Sequence, residues 1–159
     1  MLRRGIGRLW LVCLASLVAS VCVVPSGAGA EPAAVAARTM AFNLNSNLHI
    51  VGRPGHVFNE QGTFSGSQTG TIAIRFTSVT STAGEATFVA YPKGGGWVSG
   101  RTSTRGRVVG AHVYFGGSMT ITGGSGRWAH ASGHGLGFSG VVDRRSFHAT
   151  THMQGNINV

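Results

Sequence analysis

The sequence predicts an all-β protein whose antiparallel sheet closes into a barrel. Three observations carry this. Short runs alternate apolar and polar residues, which is the period of a strand. Between the runs, Gly, Ser, Asp and Pro cluster at spacings of about ten residues, as in sandwiches and barrels. Beyond the first thirty residues, no stretch keeps a 3.6-residue apolar period for three turns.

The chain has 159 residues, enough for one domain. Charged residues are 11%, against roughly 25% in a usual soluble domain. Basic residues outnumber acidic ones 13 to 4, and Lys93 is the only lysine. A hydrophobic share of 42% argues against a disordered chain, and 26 glycines without a Gly-X-Y period exclude collagen.

Residues 1–30 read as a secretory signal peptide, expected as a helix ahead of the barrel. Arg3, Arg4 and Arg8 form its basic start, and Leu9 to Val24 is an uncharged, largely apolar run of 16 residues. Pro25 to Gly27 break that run, and Ala28-Gly29-Ala30 offers small residues at a cleavage site. The run is shorter than the ~20 residues that span a bilayer, although an uncut segment would still anchor the chain. Cleavage after Ala30 would remove both cysteines, Cys13 and Cys22. The exported chain would then hold no disulfide and depend on a packed core. It would carry ten basic and four acidic residues, a net +6. That surplus suits anionic envelope polymers, lipid head groups or nucleic acid, or a merely solvated basic surface. No basic run exceeds two residues and no aromatic residues interleave a basic stripe, so specific nucleic-acid readout is not expected.

Residues 31–39, Ala-rich with one Pro, read as a flexible tether. The barrel domain is expected over 40–159. Phe42, Leu44, Leu48 and Ile50 share one parity. Ile72, Ile74 and Phe76 form the next set, followed by Ala86, Phe88 and Ala90. Val109, Ala111, Val113 and Phe115 make another, and Met119 pairs with Ile121. Phe147, Ala149, Thr151 and Met153 close the series. Turns are expected at 53–55, 67–70, 81–84, 93–96, 116–117, 123–126 and 143–146. Ser125 to Ser132 has room for one brief helical turn.

An apolar residue followed by Ser-Gly occurs three times, as Phe64-Ser65-Gly66, Val98-Ser99-Gly100 and Phe138-Ser139-Gly140. Gly inside a strand permits the sharp bends that barrel closure needs. Closure also removes the exposed edges that would endanger an exported protein without disulfides. These two arguments favour a barrel over a sandwich.

Met119 to Gly133 reads MTITGGSGRWAHASG. This segment resembles the hallmark of the dirigent and allene oxide cyclase barrel superfamily, a strand entering a Gly-Gly-Thr/Ser-Gly turn before an aromatic, a small residue and a Gly. The matching positions are Ile121, Gly123, Gly124, Ser125, Gly126, Trp128, Ala131 and Gly133. The glycines allow a tight turn, and the aromatic ring can plug a barrel end. The resemblance covers about 15 residues and looks like that of a bacterial exported relative. It implies eight antiparallel strands, an apolar cavity, a trimer in many members and no cofactor. It also implies either cyclisation of an epoxy fatty acid or steering of phenolic coupling.

Candidate chemistry is sparse. The acids beyond residue 30 are Glu31, Glu60, Glu85 and Asp143. Glu60 and Glu85 flank strands and are the candidate catalytic residues, though neither matches a catalytic motif of the family. They would also be the pair for a two-carboxylate glycosidase. The Gly123 to Gly126 cluster lacks the Lys-Ser/Thr of a phosphate loop and reads as a structural turn. Seven histidines occur, at 49, 56, 112, 130, 134, 148 and 152. His148 and His152 on one strand face would lie about 13 Å apart at ~3.3 Å per residue, too far to share an ion. His130 and His134 straddle a turn but lack a third ligand, so no metal site is assigned. Trp97 and Trp128, beside Arg101 and Arg127, suit either stacking on a ring or closure of a barrel end.

Three functions follow. The first is a secreted, cofactor-free barrel binding a small apolar or aromatic ligand in a cavity lined by Ile72, Ile74, Phe76, Phe88, Phe115 and Phe147. The second is a dirigent- or cyclase-like enzyme, with a phenolic ligand among its substrates. The third is a basic, non-catalytic protein that holds anionic envelope polymers.

Overall fold

The computed structural model describes residues 38–79 and 82–159. The expected signal peptide, residues 31–37 of the expected tether, Thr80, and Ser81 of the turn expected at 81–84 lie outside the described residues. The described chain forms β1 (Thr39–Gly52), β2 (Phe58–Gly66), β3 (Gly70–Val79), β4 (Ala83–Pro92), β5 (Val98–Val109), β6 (His112–Gly124), β7 (Gly133–Asp143) and β8 (Ala149–Asn158). These eight strands form one closed antiparallel barrel in sequence order. One 3-10 turn, Gly126–Trp128, falls inside the segment where a brief helical turn is expected.

Strand period 2 determines what faces inward. Along β1, Phe42, Leu44, Ser46 and Leu48 are buried, while Ala41, Asn43, Asn45 and Asn47 are exposed. Along β5 the buried set is Val98, Gly100, Thr102 and Thr104, while Arg101, Ser103 and Arg105 face solvent. The barrel closes where β1 pairs with β8 from Thr39↔Asn158 to Leu48↔Ala149. Inside that seam the hydroxyls of Ser46 and Thr151 hydrogen-bond to each other, satisfying two buried polar groups.

Two interior glycines make room for aromatic rings. Phe88 pairs with Gly100 across β4 and β5, and Phe115 with Gly140 across β6 and β7. A methyl group at Gly100 would stand 2.6 Å from the Phe88 ring, and one at Gly140 would stand 2.5 Å from the Phe115 ring. Both glycines come from the Ser-Gly recurrence. Each lets a ring lie flat against its neighbour's backbone, the pairing that rescues glycine within a sheet.

Three local readings differ from the sequence expectation. Gly116 and Gly117 lie inside β6 rather than in a turn, because Gly117 packs directly onto the Ser103 backbone. The apolar series from Val109 to Phe115 is interrupted by a two-residue turn at Gly110-Ala111, with Gly110 at φ +58°. Phe147 precedes β8 and sits in the left-handed region at φ +56°.

Candidate functional site

The two barrel ends are built differently. At the end carrying the β2–β3, β4–β5 and β6–β7 connections, the Gly123 to Gly126 motif turns the chain inward. Ser125 N–H donates to the Trp97 carbonyl at 2.9 Å, and the 3-10 turn then delivers Trp128 into the barrel end. Trp128 is 2% exposed and joins the same core cluster as Ile121, Ala131, Leu136 and Ile157. Arg127 lies outside with its guanidinium 4.8 Å from the Trp128 ring. That guanidinium donates to Gln68 Oε1 at 2.8 Å and to the Lys93 carbonyl at 3.3 Å, tying three connections together.

At the opposite end the interior is not filled. A cavity of about 210 Å³ opens there, lined by Phe58, Glu60, Phe76, Ala83, Gly84, Thr104, Gly106, Val113, Phe115, Val142, Arg144 and Phe147. The cause lies in the inward residues. β4 brings Gly84, β5 brings Thr104 and Gly106, and β7 brings only Val142 beyond Gly140. These side chains are too small to meet across the barrel. Eight strands enclose just enough space for their own side chains or for one small molecule, so small residues at one end leave that end unfilled.

Glu60 is the one carboxyl lining this cavity. It lies on β2 between Ile50 of β1 and Ile74 of β3, all three on the inward parity. It is 4% exposed, and its Oε2 is buried without a hydrogen-bond partner. Burial alone raises its pKa from 4.5 to about 7, because desolvation penalises the carboxylate and no neighbouring charge offsets it.

The rim is basic and aromatic. Asp143 Oδ1 accepts from the backbone N–H groups of Arg145 (2.7 Å) and Ser146 (3.3 Å). Those bonds hold its carboxyl below the usual range and tighten the β7–β8 turn. Phe147 N–H donates to the Asp143 carbonyl at 2.7 Å, which fixes Phe147 in its left-handed conformation. Its ring thereby reaches the cavity mouth. The Arg53 guanidinium sits 4.6 Å from the Phe58 ring and 5.6 Å from the Phe147 ring, spanning two lining residues.

Of the residues expected to line a cavity, Phe76, Phe115 and Phe147 do so. Ile72, Ile74 and Phe88 are buried in the packed core and do not line this cavity. Glu60 faces inward, but Glu85 is exposed on the outer face of β4, so the two carboxylates are not brought together. Phe58, Thr104 and Val142 line the cavity without being expected there, and Val113 does so from the alternating set it shares with Phe115. Parity could have found Thr104, since it shares a face with Val98. Phe58 carried no signal, because β2 reads FNEQGTFSG with only two apolar residues. Six histidines are exposed, and His152 bonds Asn45 at 2.8 Å and Gln154 at 3.2 Å. Among the described residues, no three His, Cys, Asp or Glu side chains form a metal-binding group.

No family model matches this chain, and neither the curated proteins nor the solved structures contain a match.

Proposed function

We propose that this protein is an exported β-barrel that binds a small apolar or aromatic molecule in its open end, without a cofactor. One observation carries the reading. A cavity of about 210 Å³ is walled by aromatic and aliphatic side chains and holds one buried, unpartnered carboxyl. Concave apolar sites with a few convergent polar groups are the usual form of small-molecule sites. The space exceeds the ~150 Å³ apolar cavity that holds a benzene ring.

Native mass spectrometry of the protein purified from its own cells tests this reading. The expected result is a bound small molecule, lost after Val142→Trp fills the mouth. Bare protein that also fails to take up ethylbenzene would reject it. The same spectrum reports the N-terminal residue, and thereby whether the chain is cut near Ala30.

A second reading is a cofactor-free enzyme of the dirigent or allene oxide cyclase kind. The observation favouring it is Glu60, an acid poised near pH 7 inside the cavity, as catalytic acids and bases often are. Conversion of a trapped ligand by wild type but not by Glu60→Gln would support this reading over simple binding.

A further inference from the structure

Among the described residues three buried polar atoms lack a hydrogen-bond partner, Glu60 Oε2, Thr102 Oγ1 and Trp128 Nε1, and of these residues only Glu60 lines the cavity. An unpaired polar atom in an apolar wall costs stability unless something occupies it. From that geometry we infer that Glu60 meets its ligand as a neutral carboxylic acid. The ligand is then an apolar molecule whose inner end carries a hydrogen-bond acceptor, a carbonyl or ether oxygen, rather than a cation. This rests on the reading of the open end as a ligand site and specifies its chemistry.

Three features select an acceptor. First, no hydrogen bond reaches the buried Oε2 of Glu60, and the Thr104 hydroxyl of the lining donates to the Gly84 carbonyl instead, so the carboxyl keeps its own proton available. Second, the ionisable groups around it are positive where they approach the entrance. Arg144 lines the cavity, Arg53 spans Phe58 and Phe147, and Arg145 flanks the mouth. An incoming amine would pass all three. On the flanking strands, His49 of β1 and Arg75 of β3 are exposed, on the parity opposite to the Ile50 and Ile74 partners of Glu60. His112 and Asp143 pair with each other at the ends of β6 and β7, outside the lining. None of these groups replaces the missing partner. Third, a neutral acid is what burial favours here at and below about pH 7. A protonated carboxyl is a strong donor to a neutral oxygen and has nothing to offer a hydrocarbon.

Binding is therefore coupled to protonation. The acceptor ligand binds best while Glu60 holds its proton and is released as pH rises past neutrality.

Three matched probes test this: acetophenone, ethylbenzene (the same shape without the oxygen) and 1-phenylethylamine (the cation). Affinities are measured by calorimetry on the protein at pH 5.5 and 8.5, for wild type, Glu60→Gln and Glu60→Leu. The ratio of acetophenone to ethylbenzene affinity removes the cost of burying the ring. That ratio falls about fivefold in Glu60→Leu at pH 5.5, the value of one hydrogen bond. In wild type it falls similarly between pH 5.5 and 8.5. In Glu60→Gln, whose amide donates at every pH, it stays constant. If all probes bind but the ratio is unmoved by Glu60→Leu, the proposal is overturned while the cavity reading stands. If 1-phenylethylamine binds best and tightens toward pH 8.5, the site is a cation site and the proposal is likewise overturned. If no probe binds wild type or either variant, the cavity reading itself fails.

Discussion

The same eight strands run from a sealed end to an open one, and the contrast lies in their inward residues. Toward the sealed end, β5 offers Val98, β6 offers Met119 and Ile121, and β7 offers Leu136 and Phe138, all buried. Trp128 then enters from the β6–β7 connection as a stopper. Toward the open end the same strands offer Thr104, Gly106, Val113, Phe115 and Val142. Closure alone therefore does not decide between a filled barrel and a container. The small inward residues that β4, β5 and β7 bring to one end, Gly84, Thr104, Gly106 and Val142, decide it. A second difference is electrostatic. The sealed end uses Arg127 to tie connections across a tryptophan, whereas the open end keeps a carboxyl inside and arginines outside.

The largest effect is expected at the Trp128 stopper. Trp128→Ala would open the second end and leave a large void, costing about 3–5 kcal/mol. Thermal unfolding should fall by roughly 10–20 °C. A loss below about 1 kcal/mol in a denaturant titration would mean that the tryptophan is not what closes the barrel.

Next comes Glu60. Its folded pKa is raised, from 4.5 to about 7, so the folded state holds a proton that the unfolded state releases. Stability attributable to this group is unaffected below about pH 4.5. It falls as pH rises toward 7 and stays reduced above that. The full shift corresponds to on the order of 3 kcal/mol. Glu60→Gln should therefore be more stable than wild type at pH 8.5 and nearly equal to it at pH 4.5. Paired urea titrations at the two pH values measure this difference. Parallel curves for the two proteins would remove Glu60 from the account.

Gly140→Ala sharpens the comparison from within. Its methyl group would meet the Thr150 carbonyl at 2.4 Å and the Phe115 ring at 2.5 Å. Overpacking of this kind costs about 1–3 kcal/mol. Phe115 lines the cavity, so its displacement should lower ethylbenzene affinity together with stability. Gly100→Ala crowds Phe88 in the packed core, so it should cost stability without a matching loss of affinity.

The smallest effect is at the rim. Arg53→Ala removes a cation held over Phe58 and Phe147, worth about 0.5–1 kcal/mol at an exposed site. It should speed ligand release, seen as faster exchange in NMR line shapes, with little change in unfolding.

Much of the fold was legible because its signals are local. Phe42 to Ile50, Ile72 to Phe76 and Ala86 to Ala90 alternate cleanly, and each set forms part of a strand. The glycine-rich turn before Trp128 announced a sharp reversal carrying a ring inward. β2 was illegible because Gly62 and Glu60 occupy inward positions where an apolar residue would have marked the face. The site was only half visible for a related reason. A cavity is made where side chains are small, and Gly84, Gly106 and Thr104 leave no apolar trace. Glu60 stood out as one of few acids, but its inward direction depends on the register with Ile50 and Ile74. Ile72, Ile74 and Phe88 share parity with cavity residues, and sequence periodicity does not tell depth along the barrel axis.

In the proposed function one end of the barrel takes up a small molecule and the other does not. Titration of the isotope-labelled protein with ethylbenzene, followed by NMR of its methyl and aromatic groups, tests this most directly. Saturable shifts are expected at Phe58, Phe76, Val113, Phe115 and Val142, with Trp128, Ile121 and Leu136 unmoved. Shifts centred on Trp128, or no saturable shift at either end, would contradict it.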